Sequence, residues 1–452
     1  MRRASARELV SGAEEAVWLS DRPADPRIVA LVARLDAPAD LVRLDAAVAA
    51  LLRAQPRLAS RPAAGPVARR WTWEPVSGDG ERVTLASGGD AQVAAVVERL
   101  RTAVAGLRAG LRVGVVRQGE HDTVILVVHH ALTDGAGALK LLAGLLGSAG
   151  PNLLAAGPAQ AVAAPAPPPV PAPVPAITAA PAPSASGRAR PGVPQGPSRL
   201  APQPGDASLS GYGCQLTTMA PVRASSSAGP ATTNDLLVAS TVRAVERWNA
   251  GQDRSTGRVV VNMPVNTQPV LDRTSGVGNA TGQAVLTFDV PGRTGQQVLA
   301  AVVRQTQEVK TGREGHVAPA ERVVGALQWL PARLRARLLR AVARRVSPVL
   351  MPTITVSNVG RADALFGAAG ATGAAGAPPP TVQALWFLTT AGMPQGLTVT
   401  AASLRGTLHL AVSYSRELFD DDAARHFLAL VVDGMVELAR PMQAAQQADV
   451  SR

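Results

Sequence analysis

The sequence predicts a mixed α/β protein built from two halves. Segments with strand character alternate along the whole chain with segments that space their apolar residues as a helix does. A stretch rich in proline and alanine interrupts this alternation near the middle of the chain. The 452 residues also exceed what one hydrophobic core usually holds, so more than one domain-sized unit is expected.

The first half opens with a strand in ADPRIVALVARLDA and continues with a helix in ADLVRLDAAVAALLRAQPRL, for which Asp40 is the expected N-cap. A second helix is predicted over residues 91–105. The segment LRVGVVRQGEHDTVILVVHH then reads as a hairpin that turns between Gly119 and Asp122. Its second strand ends in two histidines, followed by a polar turn and another helix.

Proline and alanine exclude any helical or strand period over residues 156–206, which we interpret as a disordered or polyproline-like linker. This linker separates an N-terminal half, 1–155, from a C-terminal half, 207–452. A shorter irregular segment, residues 366–380, is predicted to be a mobile loop.

The C-terminal half repeats the alternation of helix and strand. Its predicted elements are the helices TTNDLLVASTVRAVERWNA and TGQQVLAAVVRQTQEVK, the strands GRVVVNMPVN and TITVSN, and the strand pair LTVTAASLRGTLHLAVSYS. The closing helix, DDAARHFLALVVDGMVELAR, follows Asp420, so three aspartates lie at the N-terminus, where the helix dipole favours them.

Composition excludes several classes of protein. The formal charge of +12 suggests an anionic partner, but aromatic residues make up only 3%, which argues against a nucleic-acid-binding surface. A single cysteine, Cys214, excludes a disulfide framework and fits a reducing compartment, so a cytoplasmic protein is expected. No apolar run is long enough for a transmembrane helix, although peripheral contact with a membrane stays open.

The two histidines, His129 and His130, cannot face the same cavity, because successive strand residues point to opposite faces of a sheet. The same alternation argues against a metal site, and none is predicted. One histidine is expected to be structural and the other available as a general base that activates a hydroxyl or an amine. Taken alone, the pair also fits a plain strand end, with Asp134 capping the next helix.

The complete spacing from His129 to Gly135, HHALTDG, resembles the HHxxxDG signature of the condensation-domain-like acyltransferase superfamily. Further segments fit the same superfamily in order: AEEAVWLS, TTNDLLVAS, VNMPVNTQP, GVGN and TVSNVGR. The chain is most similar to the free-standing wax ester synthase/diacylglycerol acyltransferase and polyketide-associated branches. It lacks the DFGWG motif of the plant-type members.

The resemblance implies two chloramphenicol-acetyltransferase-like halves that form a V-shaped pseudo-dimer with a central tunnel. It makes His130 the catalytic base, with His129, Asp134 and Gly135 as supports of the motif. In the family the motif aspartate pairs with an arginine, for which Arg258 is the candidate here.

The resemblance also carries over polar positions near the tunnel. Ser357 and Asn358 match the late-strand SN motif, and Asn266 and Asn279 match motif positions that contact substrate or support the fold. No bound cofactor is implied; the co-substrate is an acyl-CoA or a phosphopantetheinyl carrier protein, and the acceptor is a small alcohol or amine.

A basic amphipathic helix is predicted in LQWLPARLRARLLRAVARRV, with arginines at 333, 337, 340 and 344 and leucines on an adjoining face. A surface helix packed through its leucines is one interpretation. The others are a dock for an acidic carrier protein, a contact for cofactor phosphates, or attachment to an anionic membrane.

The sequence thus favours an acyltransferase that forms an ester or amide from an acyl thioester, in natural-product biosynthesis. Two alternatives remain: a wax ester or diacylglycerol acyltransferase at a membrane surface, and a non-catalytic relative that recruits another protein.

Overall fold

The computed structural model describes residues 8–21, 25–76, 82–107, 109–147, 196–205, 211–266, 277–279, 281–311, 319–366, 380–390 and 392–440. Within these ranges no helix is both long enough and apolar enough to cross a membrane.

Helices and strands alternate as the sequence predicts. The helices are α1 (Gly12–Ser20), α2 (Leu41–Ala54), α3 (Asp90–Val104), α4 (Gly135–Leu145), α5 (Thr233–Ala250), α6 (Gly295–Lys310), α7 (Pro319–Ala326), α8 (Ala332–Leu350), α9 (Asp363–Phe366) and α10 (Asp421–Ala439). The strands are β1 (Ile28–Leu35), β2 (Ser60–Ala63), β3 (Thr72–Pro75), β4 (Val83–Ser87), β5 (Leu111–Gln118), β6 (His121–His129), β7 (Tyr212–Met219), β8 (Ala224–Ser226), β9 (Gly229–Ala231), β10 (Arg258–Asn266), β11 (Thr281–Asp289), β12 (Ile354–Arg361), β13 (Val382–Thr389), β14 (Leu397–Leu404) and β15 (Thr407–Ser415). The mixed α/β class is therefore confirmed.

The helix caps and the hairpin that the sequence predicts are present in the structure. Asp40 caps α2, its carboxylate accepting the amide of Arg43 at 3.0 Å. The hairpin of β5 and β6 pairs Gln118 with His121, and Asp420 caps α10. Each cap satisfies an amide that the first helical turn would otherwise leave without a partner.

Two large sheets organise the molecule. The first has the order β13-β1-β6-β5-β4, and the second has the order β11-β10-β12-β14-β15-β7. Strand β6 is central and apolar from Val124 to Val128, because Ile125 and Val127 pack into one hydrophobic cluster and Leu126 and Val128 into another. Both faces of the first sheet are thus covered, which explains why this strand shows no alternation of polar residues.

Strand β13 crosses the predicted division between the halves. It belongs to the C-terminal part of the chain, yet it pairs antiparallel with β1 in the first sheet, with Val32 opposite Trp386. The second sheet packs against β13 through polar contacts: the Thr398 hydroxyl donates to the Thr389 carbonyl at 2.8 Å, and the Thr400 hydroxyl donates to that of Phe387. Hydrogen bonds between β14 and β13 therefore connect the two sheets.

The end of the predicted linker differs from the expectation of disorder. Residues 196–205 pack on the C-terminal half, where Leu200 and Ala201 are buried in its core. The carbonyl of Ala201 accepts the indole N–H of Trp248 at 2.9 Å, and its amide donates to Asn249 Oδ1 at 2.8 Å. Composition shows where the apolar residues lack the spacing of a helix or a strand. It does not show that side chains far along the chain, here Trp248 and Asn249, bind the irregular backbone. Most of the predicted linker and of the 366–380 loop lies outside the described residues.

Candidate active site

The HHxxxDG loop lies between the end of β6 and the start of α4. The amide of His130 donates to the carbonyl of Arg27 at 2.8 Å, which continues the pairing of β6 with β1 for one more residue. Strand alternation sends the two histidine rings in different directions. A rigid central strand thus carries the first half of the motif.

His129 is fully buried and has local partners. The Ala131 amide donates to its Nδ1 at 3.2 Å, so Nδ1 is an acceptor and Nε2 is the nitrogen that carries a proton. That nitrogen lies 3.4 Å from Asp21 Oδ2. These contacts fit a ring that shapes the turn, which is the supporting role expected from the sequence.

His130 is only partly buried, and its ring is oriented by the loop itself. Its Nδ1 lies 3.1 Å from the carbonyl oxygen of Thr133. A carbonyl can only accept a hydrogen bond, so Nδ1 carries the proton and the lone pair is on Nε2. Burial lowers the pKa of His130 below its ordinary value, against the opposing effect of the Asp134 charge. The imidazole is therefore neutral near pH 7 and has a basic nitrogen to offer.

Asn279, from the C-terminal half, holds the backbone of His130. Its Oδ1 accepts the amide of Thr281 at 3.2 Å, which turns its NH2 group toward the histidine. That group lies 3.3 Å from the carbonyl oxygen of His130 and equally far from Nδ1. Since Nδ1 already donates to Thr133, the carbonyl is the acceptor. Asn279 is thus placed to position the histidine.

Asp134 is fully buried and joins the two halves. Its Oδ1 accepts the amide of Gly137 at 3.0 Å and so caps α4, and its Oδ2 accepts the hydroxyl of Thr281 at 3.0 Å. Beside it, the amide of Gly278 donates to the carbonyl of Leu132 at 2.7 Å. A short segment of the C-terminal half therefore binds the motif loop directly.

The predicted pairing of Asp134 with Arg258 is wrong. Arg258 begins β10 and faces Asp289, with Nε 3.4 Å from Oδ1. Asn266 ends the same strand, and its Cα pairs with that of Thr281, so the strand length separates Arg258 from the motif. The sequence shows that Arg258 and Asn266 share a strand. It does not show which end of that strand the motif loop approaches, because tertiary packing decides this.

Gly135 has a steric role. A Cβ built on it would lie 2.7 Å from Val359 Cγ1 and 3.2 Å from Phe387 Cζ. The start of α4 therefore packs tightly against β12 and β13, and only glycine fits without displacing them.

Ser357 and Asn358 lie on β12, immediately before that contact with Val359. Ser357 is buried and pairs in register with Thr400, which places both on the face of the second sheet that meets β13. The Asn358 Oδ1 accepts the amide of Gly360 at 2.8 Å and so supports a local turn.

Sequence reasoning missed a neighbouring set of polar side chains on the same face. The hydroxyl of Thr355 accepts from Gln395 at 2.7 Å and from Asn262 at 3.4 Å. Asn262 lies in the segment VNMPVNTQP, between the buried residues Val261 and Met263. This alternation in a strand is the sequence feature that could have identified it.

Two other motif residues are structural. Asp235 completes a capping box with Thr232 at the start of α5 and accepts the hydroxyl of Thr306 at 2.7 Å. Asn234 contacts the sulfur of Met263 at 3.0 Å. Cys214 is an unsuitable nucleophile because burial raises its pKa to about 12.

No protein-family model matches the chain. Two uncharacterized proteins of Mycobacterium tuberculosis, from strains CDC 1551 / Oshkosh and ATCC 25618 / H37Rv, are each 27% identical over 345 residues, which cover 72% of this chain and 74% of each relative.

Solved structures similar to this chain come from several acyl-transferring proteins. Trichothecene 15-O-acetyltransferase from Fusarium sporotrichioides has a TM-score of 0.58 at 12% identity, covering 96% of this chain and 94% of its own. A mutant starter condensation domain of rhizomide synthetase, in complex with C8-CoA and Leu-SNAC, has a TM-score of 0.55 at 13% identity. The match covers 96% of this chain and 95% of that domain. The wax ester synthase/diacylglycerol acyltransferase from Marinobacter aquaeolei VT8 has a TM-score of 0.54 at 14% identity. The match covers 95% of this chain and 98% of that enzyme. These likenesses show the fold over nearly the whole chain.

Proposed function

From a condensation-domain-like fold that carries a complete HHxxxDG loop, we propose that this chain is an acyltransferase with His130 as its general base. The observation that carries the proposal is the contact between His130 Nδ1 and the Thr133 carbonyl. It leaves the lone pair on Nε2, in a ring that burial keeps neutral. A neutral imidazole held on a rigid element is the group that such a reaction requires.

The proposed reaction transfers an acyl group from a thioester to a hydroxyl or an amine. Nε2 takes the acceptor's proton as the acceptor oxygen or nitrogen bonds to the thioester carbonyl carbon. The tetrahedral intermediate then collapses, the carbon–sulfur bond breaks, and the departing thiolate receives that proton from Nε2. The buried carboxylate of Asp134 opposes the effect of burial on the pKa of His130, so it stabilises the imidazolium that forms between these two steps.

The acyl donor is proposed to be a coenzyme A or carrier-protein thioester, and no bound cofactor is needed. The donor and the acceptor would meet His130 in a tunnel at the junction of the halves, where proximity supplies much of the rate. Ser357, Asn358 and Asn266 are proposed to contact the thioester or its pantetheine arm. The C8-CoA complex of the rhizomide domain supports this donor class, and a natural-product acceptor is in keeping with both that domain and the trichothecene enzyme.

The second candidate is a neutral-lipid acyltransferase at a membrane surface. One observation favours it: α8 presents exposed leucines together with arginines, and the wax ester synthase shares the fold. The chemistry at His130 would be the same, with a fatty alcohol or diacylglycerol as the acceptor.

The test is product mass spectrometry with a panel of acyl-CoA and acyl-carrier-protein thioesters against alcohols and amines. We expect acceptor-dependent transfer by the wild type and a loss of about two orders of magnitude or more in His130→Ala, the scale of losing a general base. His426→Ala, an exposed histidine of α10, is the matched control and should retain activity.

Transfer unchanged in His130→Ala would remove His130 as the base. No transfer by the wild type across the panel would contradict the enzyme and leave the recruiting protein.

A further inference from the structure

Exposed apolar side chains concentrate on α7, on α8, on the turn between them and on the loop at Ala68 that is hydrogen-bonded to the start of α8; together we call these segments the α7–α8 face. Of the eleven large hydrophobic residues exposed in the described part of the chain, six lie there. They are Val67, Val323, Trp329, Leu334, Leu338 and Val342. Single exposed apolar residues are ordinary, but a contiguous group marks an interaction site.

The spacing along α8 shows that this exposure is regular. Leu334, Leu338 and Val342 follow one another at four-residue steps and form one stripe, and each is more than two-fifths exposed. The side of α8 that packs on the molecule carries Ala332, Arg335, Ala336 and part of Leu339 instead. The interpretation that the helix packs through its leucines is therefore wrong for Leu334 and Leu338, because two alanines, one arginine and part of Leu339 occupy the packed side.

A buried ion pair fixes this orientation. Arg335 is 1% exposed, and its Nε and Nη2 donate to the two carboxylate oxygens of Glu15 in α1, each at 2.9 Å. Its Nη1 donates to the carbonyl oxygens of Leu330 and Arg69. Turning α8 to bury the leucines would break this network and leave a buried carboxylate without its partner.

The same surface is strongly basic. The segment Ala332–Leu350 contains six arginines and neither aspartate nor glutamate. Arg333 and Arg337 are exposed beside the apolar stripe, and Arg340 is exposed with its guanidinium 5.2 Å from the Trp18 ring. A nearby loop adds two exposed arginines, Arg69 and Arg70, next to Ala68, whose carbonyl accepts the amide of Ala332 at 2.7 Å.

We propose that the α7–α8 face is a docking surface for an anionic lipid bilayer. Leucine, valine and tryptophan side chains insert at the boundary of headgroups and acyl chains, while the adjacent arginines bind lipid phosphates. A second copy of this chain is disfavoured as the occupant, because two such faces would oppose like charges. The indole of Trp329, 65% exposed, is typical of a membrane–water interface. This proposal concerns a surface that the reaction at His130 does not use, and it holds for any acyl acceptor.

The experiment is flotation of the full chain with vesicles of phosphatidylcholine alone or of phosphatidylcholine with about one-third phosphatidylglycerol. We expect the wild type to float with the anionic vesicles and to remain unbound with the neutral ones. Arg333→Gln with Arg337→Gln should weaken binding by on the order of tenfold or more, because each arginine near an anionic surface contributes about fivefold. Leu334→Ser with Leu338→Ser should remove binding by deleting inserted apolar area.

Matched controls change the same residue types at exposed sites elsewhere. Val42→Ser and Arg254→Gln should bind as the wild type does, and the thermal unfolding of every variant reports whether it folds. Equal binding to neutral and anionic vesicles, or binding that survives both double substitutions, would overturn the proposal. So would the absence of vesicle binding together with a complex with an acidic acyl carrier protein that the leucine variant loses; that result would assign the face to the carrier.

Discussion

His130 is the residue whose ionisation controls the proposed reaction. Burial lowers its pKa, so the neutral base persists to a pH below the ordinary histidine value of about 6.5. We expect kcat/KM to be constant around neutrality and to fall only as the pH drops below about 6.5. The measurement is kcat/KM against pH with an alcohol acceptor that does not titrate in this range, with folding checked by fluorescence at each pH. An acidic limb centred above about 7 would contradict a base that is neutral at pH 7.

Thr281 connects the C-terminal half to Asp134, and two substitutions separate its hydroxyl from its shape. Thr281→Val keeps the volume but removes the donor to a buried carboxylate, which costs about 1.5 to 3 kcal/mol. We expect a lower midpoint of urea unfolding and a lower kcat, since the loop that carries His130 loosens. Thr281→Ser is the control because it keeps the hydroxyl. If the serine and valine variants behave alike, the hydrogen bond is not what matters.

At the scale of elements, α8 shows how a long-range pair decides the orientation of a helix. We expect Arg335→Ala to lower the free energy of unfolding by about 3 to 5 kcal/mol, since it leaves Glu15 buried without its ion partner. Arg333→Ala, on the exposed side of the same helix, is the matched control and should stay within about 0.5 kcal/mol of the wild type. Urea unfolding measures both. Equal losses in the two variants would show that the Arg335–Glu15 ion pair is not responsible.

The elements differ in how far the sequence could predict them. Strands β6 and β10 and helices α2, α5 and α10 follow from apolar spacing and caps, which are local. The buried side of α8 does not, because Arg335 finds Glu15 320 residues away along the chain. In the site, the motif spacing identifies His130 and Asp134. It does not identify Thr281 as the partner of Asp134 in place of Arg258, since register between β10, β11 and the loop is set by packing of the whole sheet.

At the scale of the molecule, the junction between the two sheets holds a histidine that resists protonation. His409 of β15 lies 5.3 Å from the Trp386 ring of β13, and burial lowers its pKa to about 4. The unfolded chain binds a proton near pH 6.5 while the folded chain does not, so the stability that depends on neutral His409 is lost as the pH falls from about 6.5 to about 4. We expect the free energy of unfolding of His409→Leu to depend less on pH between about 4 and about 6.5 than that of the wild type. Urea titration at several pH values measures it. An unchanged slope would contradict this assignment.

The pairing of β13 with β1 has a consequence for how the protein is synthesised. The ribosome releases β1, β5 and β6 early, but the strand that covers the edge of β1 ends only at Thr389. At about 5 to 20 residues per second, the apolar edge of β1 stays open for on the order of tens of seconds. The first sheet therefore completes its strand pairing only after most of the C-terminal half has been translated.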